Sequence, residues 1–281
     1  MTDYSLNGSK LARTRQFLHA AVVGAEGMSR LGLVLLSGGL DSTTVAALAR
    51  RRGYALLALT LDYGQAHRRE IAAARQVAAA LGIAHQVVEV AFFRELAWYS
   101  ALTQPARFAL PTDRSPEQRA AAIPITYVPL RNTLFIALAA ALLESWALHA
   151  IEQEGVAPAE LEAAVFIAAN ALDYSGYPDC RPEYYAALAE TLRRGSKLGA
   201  QYGVPLRVET PLLHLRKAEI VRLAVDVGAP LALTWSCYAG GARPCGQCDS
   251  CLLRARGFAE AGIADPALPT DADAPPVPSG S

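Results

Sequence analysis

Six consecutive residues, Ser37-Gly38-Gly39-Leu40-Asp41-Ser42, stand between the apolar run 31–36 and the helix-like run 43–52. A strand that ends in two glycines and restarts as a helix leaves several backbone N–H groups and the positive end of the helix dipole directed at one spot. Ser37 and Ser42 add hydroxyl donors there. That spot suits a pyrophosphate. A Walker loop needs a Lys-Ser or Lys-Thr pair after its last glycine, and a dinucleotide fingerprint needs three spaced glycines; neither is present. The bland alternative is a glycine turn with a Ser or Asp helix cap. All six positions fit the phosphate pattern directly after a strand-like run, which argues against that alternative.

A second constellation lies near the C terminus. Cys237, Cys245, Cys248 and Cys251 have the spacing C-x7-C-x2-C-x2-C. Close C-x2-C pairs put two thiolates on one metal within a tight turn, Gly246 permits that turn, and four sulfurs complete a tetrahedral Zn²⁺ shell. With no open coordination position, such a zinc is structural, one per chain, and holds the C-terminal segment in place. An iron–sulfur cluster and unmetallated buried cysteines are the alternatives. Cys180, the fifth cysteine, is too distant in sequence to count as a ligand and reads as a small core residue before it reads as a nucleophile.

The elements that must position these groups alternate along the chain. Runs 31–36, 54–61, 84–90, 125–128, 164–168 and 206–208 read as strands. Runs 43–52, 65–81, 132–149, 182–198 and 215–227 carry helical periodicity between them. This alternation predicts a doubly wound, mainly parallel open α/β sheet with ligands at the C-terminal strand ends, where Ser37 falls. The chain divides into an N-terminal extension (1–30), an α/β domain that carries the phosphate loop (31–230), a cysteine-rich element (231–265) and a tail (266–281) too rich in Pro, Ala and Asp to form a core. The Pro-containing connection 98–123 is placed to cover the site.

Lys plus Arg equals Asp plus Glu at 26 each in 281 residues, so no net field draws the chain to nucleic acid or to a membrane surface. No signal peptide is evident, and no segment approaches a membrane span, the alanine-rich helix after Arg131 being interrupted by Glu144. A cytoplasmic protein with a small-molecule ligand is expected.

Ser-Gly-Gly-x-Asp-Ser resembles the pyrophosphate loop of enzymes that split ATP between its α and β phosphates and adenylate an oxygen. Other segments narrow the resemblance: Leu61-Asp62-Tyr63-Gly64-Gln65-Ala66-His67, Val128-Pro129-Leu130-Arg131-Asn132, Asp173-Tyr174-Ser175-Gly176-Tyr177-Pro178-Asp179-Cys180-Arg181-Pro182-Glu183, Thr210-Pro211-Leu212 and Ser236-Cys237-Tyr238. Together they resemble the 7-cyano-7-deazaguanine synthase family of queuosine biosynthesis, over about residues 31–266. The resemblance implies a three-layer α/β/α fold of the adenine nucleotide alpha-hydrolase kind and a homodimer. It also implies an ATP-dependent ligase that converts 7-carboxy-7-deazaguanine and ammonia into the nitrile, without nucleic acid.

Roles follow from that implication. Ser37, Gly38, Gly39, Leu40, Asp41 and Ser42 bind the ATP phosphates, with Asp41 a partner for Mg²⁺ and Asp62 beside the nucleotide. Lys217 supplies the cation the loop lacks; a solvated helix lysine is the alternative. Arg131 has the planar fork for a phosphate or for the substrate carboxylate. Asp173 and Asp179 can accept from a guanine-like edge, and Tyr174 or Tyr177 can stack on the ring; turn capping is the alternative for either Asp. His67 is placed to take a proton from the incoming nitrogen. Three rival readings remain: a relative that attaches a deazaguanine to a protein, a tRNA thiolase relaying sulfur through Cys180, and a zinc-dependent nucleic-acid-binding regulator.

Overall fold

A computed structural model describes residues 28–64, 69–114, 123–170 and 177–268. His67, Asp173 and Tyr174 lie outside the described residues, as do most of the N-terminal extension and of the tail. Strands β1 (Ser29–Leu35), β2 (Ala55–Asp62), β3 (Ala84–Glu89), β4 (Leu161–Phe166) and β5 (Leu206–Glu209) form one sheet in the order β3-β2-β1-β4-β5. Every pairing is parallel, with Leu33 opposite Leu57 on one side and Val165 on the other. The direction of winding reverses beside β1, so a topological switch point lies at its C-terminal end, the crevice where open α/β sheets hold ligands.

The period-2 rule sorts the central strands onto two faces. Leu31, Leu33, Leu57, Leu59 and Val165 point to a layer built on helix α4 (Arg131–Glu152), through Ile136, Ala140, Leu143 and Trp146. Val34, Leu36, Ala58 and Phe166 point the other way. They meet Val45 and Ala46 of α1 (Leu40–Arg51) and Ala74 and Val77 of α2 (Arg69–Leu81). Both faces are covered, as a parallel sheet requires, and the three-layer α/β/α expectation holds. The remaining helices are α3 (Phe93–Leu96), α5 (Pro182–Gly195), α6 (Lys197–Tyr202), α7 (Lys217–Asp226) and α8 (Asp249–Ala261).

Three sequence expectations are corrected. Residues 125–128 do not form a strand. Pro124 and Pro129 flank them without N–H donors, and the backbone turns locally, Tyr127 N–H donating to Pro124 O at 2.9 Å and Arg131 N–H to Val128 O at 3.2 Å. The helix expected over 182–198 breaks at Ser196, whose extended backbone (ψ 147°) and hydroxyl, accepting from Gly199 N–H at 3.0 Å, start α6 as a fresh cap. Helix α4 is long and apolar enough, by length and composition, to cross a membrane, with a mean hydropathy of 1.8. Here it packs one face on β1 and β4.

Candidate active site

The phosphate loop is shaped by one residue that cannot be other than glycine. Gly38 has φ +82°, and a Cβ built on it meets Ala74 N at 2.4 Å and Glu70 O at 2.6 Å, both backbone atoms of α2. Within the loop, Ser37 Oγ and Ser42 Oγ are 3.0 Å apart, Gly39 N–H donates to Ser37 Oγ at 3.3 Å, and Ser42 Oγ donates to Gly39 O at 3.2 Å. Gly39 caps α1 in an extended conformation with no side-chain cap on the helix, so the dipole end faces the cleft. The loop's other side is claimed from far along the chain: Trp235 N–H donates to Gly38 O at 2.9 Å.

Lys217, the first residue of α7, is 8% exposed and reaches the loop. Its Nζ donates to both oxygens of Asp41, at 2.8 and 3.0 Å. A capping box, with Arg216 N–H donating to Glu219 at 2.7 Å, fixes the start of this helix. Gly257 of α8 lies directly against the Lys217 stem. The structure thus brings Lys217, Asp41 and the glycine loop together, with the Asp41 carboxylate engaged by the lysine.

Across the cleft stands Arg131, at the start of α4. Leu130 before it holds a left-handed conformation, φ +53°, which turns the chain into the helix. Arg131 is half-buried and hydrogen-bonds Tyr63. Burial opposes its charge, but Tyr63, Tyr177 and Asp179 around it more than compensate and keep it protonated. Burial pushes the Asp179 carboxyl up, against the pull of Arg131. Asn132 Nδ2 and Tyr185 OH hold the Asp179 carbonyl at 3.3 and 2.8 Å. Tyr177 OH lies 2.8 Å from Thr126 Oγ1, and its ring stands 5.8 Å from that of Tyr127.

These two walls enclose a cleft of about 280 Å³. Ser37, Gly39, Leu40, Asp41, Ser42, Lys217, Arg131 and Tyr177 line it. Gly38, Asp62 and Asp179 stand behind its surface; the Asp62 carboxylate accepts from Gly64 N–H at 3.2 Å. Cys180 also lines the cleft, where burial and the neighbouring Asp179 push its thiol up to about 12. A thiol so protonated is a poor sulfur relay. Sequence reasoning missed Glu70, Trp235 and Arg254 as lining residues. Glu70 lies three positions beyond the Leu61–His67 segment, and nothing local in the sequence marked it.

The four C-terminal sulfurs lie within 4.8 Å of one another, Cys245 Sγ and Cys251 Sγ being 4.0 Å apart. Tetrahedral coordination at a metal–sulfur distance of about 2.3 Å sets sulfurs ~3.8 Å apart, so the cluster fits one ion with a small contraction. Backbone N–H groups of Ala239 and Cys245 already donate to Cys237 Sγ, at 3.4 and 3.3 Å, and Cys248 N–H to Cys245 Sγ at 3.4 Å. Such donors favour thiolates. The connection after β3 clips onto this knuckle. Thr112 forms a bridge with Cys248, Asp113 N–H donates to Gln247 O at 3.1 Å, and Arg114 pairs with Asp249.

The sequence model of the family described as Queuosine biosynthesis protein QueC matches residues 32–262. The chain belongs to the QueC family. It is 47% identical over 236 residues to the 7-cyano-7-deazaguanine synthase of Thermosynechococcus vestitus, covering 83% of this chain and 93% of that one. The synthase of an Anaeromyxobacter species is 47% identical over 244 residues, 85% and 96% of the two chains. That of Thermoplasma acidophilum is 45% identical over 234 residues, 83% and 90%. The QueC match begins inside β1 and ends at Gly262, the cap of α8. It therefore spans the phosphate loop, Arg131, Lys217 and all four clustered cysteines.

Proposed function

We propose that the chain converts 7-carboxy-7-deazaguanine and ammonia into 7-cyano-7-deazaguanine with ATP, as an ATP-dependent ligase of queuosine biosynthesis. The observation that carries this reading is the cleft in which the Ser37–Ser42 loop and the Lys217–Asp41 pair face Arg131 and Tyr177, in a chain of the QueC family. A carboxylate is a poor electrophile because oxide must leave, whereas an acyl-adenylate loses AMP readily. Ammonia then gives the amide. Adenylating the amide oxygen makes AMP the leaving group again, and loss of protons from nitrogen gives the nitrile, so one pyrophosphate site serves both dehydrations.

In this reading the loop N–H groups and the α1 dipole hold the pyrophosphate. Lys217 moves its charge from Asp41 to the phosphates, which frees Asp41 to face the Mg²⁺ that enters with ATP. Arg131 holds the substrate carboxylate, while Tyr177, with Tyr174, stacks on the ring, and Asp179, with Asp173, reads the guanine-like edge. Zn²⁺ at Cys237, Cys245, Cys248 and Cys251 is structural. The high thiol pKa of Cys180 speaks against a sulfur relay, and the even charge balance against a nucleic-acid regulator. The chain acts in the cytoplasm as a homodimer.

Incubation of the protein with 7-carboxy-7-deazaguanine, ammonium and Mg·ATP is expected to yield the nitrile together with AMP and pyrophosphate by mass spectrometry. Absence of both nitrile and amide would sink the reading.

A further inference from the structure

Among the described residues two carboxylates line the cleft, Asp41 and Glu70. Both oxygens of Asp41 are engaged by Lys217 at 2.8 and 3.0 Å. Glu70 is placed differently. It sits in the first turn of α2, where its carbonyl oxygen packs against the Cα of Gly38, so the residue is locked beside the phosphate loop. Glu70 lines the same cavity as that loop and Arg131, its carboxyl close enough to Arg131 and Tyr63 to interact with both, and among the described residues no hydrogen bond or ion pair within 4 Å claims the carboxylate. Among the described residues the charged and titratable groups that act on it are Arg131 from α4 and Tyr63 just after β2. The third acid group near the cleft, Asp179, stands behind the lining, and the Cys180 thiol is held protonated.

Resting on the function proposed above, we propose that Glu70 is the catalytic base that takes the protons nitrogen must shed in the amination and dehydration steps. In the first, the ammonia lone pair forms the C–N bond at the adenylated carboxyl carbon. Nitrogen passes one proton to Glu70, and the C–O bond to AMP breaks with its electron pair leaving on the AMP phosphate. In the second, ATP places AMP on the amide oxygen and pyrophosphate departs, leaving a cationic imidate. Nitrogen gives up one proton to restore neutrality. It gives up its last as the N–H pair becomes the third C–N bond and the C–O bond breaks onto AMP. Glu70 releases each proton to solvent before accepting the next.

The electrostatics match this task. Burial raises the Glu70 carboxyl from 4.5 to about 7, with Arg131 limiting the rise. A base is most effective when its pKa lies near the working pH, and such perturbed groups in a cleft mark acid–base chemistry.

Glu70→Gln and Glu70→Asp separate this role from binding. Glu70→Gln is expected to lower nitrile formation by ~10²–10⁴-fold. Its acid-dependent exchange of pyrophosphate into ATP, which needs only adenylation, should stay within about threefold of wild type. Glu70→Asp should recover part of the lost rate. Expressed per free ammonia, the wild-type rate should rise through pH 7 and that of Glu70→Gln should be flat. Exchange that falls in parallel with nitrile formation would overturn the proposal, since Glu70 would then serve nucleotide or acid binding. Nitrile formation that survives in Glu70→Gln within about threefold would overturn it as well. Wild-type protein that makes no nitrile defeats the functional reading itself, whereas nitrile from wild type and undiminished nitrile from Glu70→Gln defeat only the role of Glu70.

Discussion

Substituting Gly257 by alanine tests whether the C-terminal helix sets Lys217, the lysine of the candidate site. A Cβ on Gly257 falls 2.2 Å from Lys217 Cγ, 3.0 Å from its Cβ and 3.3 Å from its carbonyl carbon. Ordinary carbon contact is about 3.7 Å, so the Cγ must retreat by roughly 1.5 Å. There are two ways to make room. Rotating the lysine stem withdraws Nζ from Asp41, where it now sits at 2.8 and 3.0 Å. Keeping the stem in place requires α8 to move off α7, which opens the packing of Phe258 against Val221 and Ala224. Overpacking of this kind costs about 1–3 kcal/mol, offset by the ~1 kcal/mol that alanine gains over glycine inside a helix. The net loss of up to about 2 kcal/mol lowers Tm by as much as roughly 8 °C in a chain of this size. A misplacement near 1 Å of a group that meets the reacting phosphates reduces rate by ~10²-fold. Differential scanning fluorimetry and acid-dependent ATP–pyrophosphate exchange read the two effects. Unchanged Tm together with exchange within about twofold of wild type would refute the reasoning, because the close approach of Gly257 to the stem would then not constrain Lys217.

Lys217→Met, which removes the cation yet keeps the stem, should lower exchange by ~10²–10³-fold while the protein still melts cooperatively. Stripping the metal with a chelator, or Cys245→Ser, should lower Tm by roughly 5–10 °C and speed proteolysis between 98 and 114, because Thr112 and Asp113 are held by the knuckle. Glu70 should make stability fall as pH rises. Its folded pKa near 7 exceeds its ordinary 4.5, so the folded state binds the extra proton between those values and the loss is complete above about pH 7. Glu70→Gln should therefore be more stable than wild type by about 1–3 kcal/mol at pH 8 and by little at pH 4.5, in denaturant titrations at both. Arg254→Met should keep one metal per chain but lose exchange, since Arg254 fixes the segment that carries Trp235; full exchange with bound metal would show that the knuckle suffices alone.

Much of this site was legible because its chemistry is written in contiguous residues. The glycine loop needs a strand before it and a helix after it, and both can be read within about twenty positions. Lys217 was legible only through the family resemblance, since nothing local distinguishes it from a solvated lysine; its burial comes from α8, far along the chain. That helix went unread because its first turn is the cysteine run itself, and metal spacing masked the periodicity of Cys251, Leu253, Arg254 and Phe258 on its buried side. Glu70 looked like any first-turn acid of a helix. What sets it apart is burial beside Arg131, a property of the closed cleft. The false strand at 125–128 arose because Ile125, Tyr127 and Val128 mimic β composition, whereas the prolines at either end decide the backbone.

The cysteine-rich C-terminal segment backs the candidate site even though a four-sulfur cluster of this kind offers no open position for chemistry. Arg254 joins the parts. It is 8% exposed and forms a two-pronged pair with Asp265 at 2.6 and 2.8 Å, and it donates to Thr234 Oγ1 at 2.9 Å and Ser236 Oγ at 3.2 Å. Those two hydroxyls flank Trp235, whose N–H holds the Gly38 carbonyl, while its indole carries the guanidinium of Arg69 at 4.7 Å. Arg69 is the neighbour of Glu70 on α2. The phosphate loop, the lysine and the proposed base are therefore each gripped by the same segment, through Gly38, Gly257 and Arg69 respectively. A loop that binds pyrophosphate through backbone N–H groups has no side chain with which to correct its own position, so its accuracy depends on what packs behind it. A four-sulfur metal shell would be a compact way to make that backing stiff.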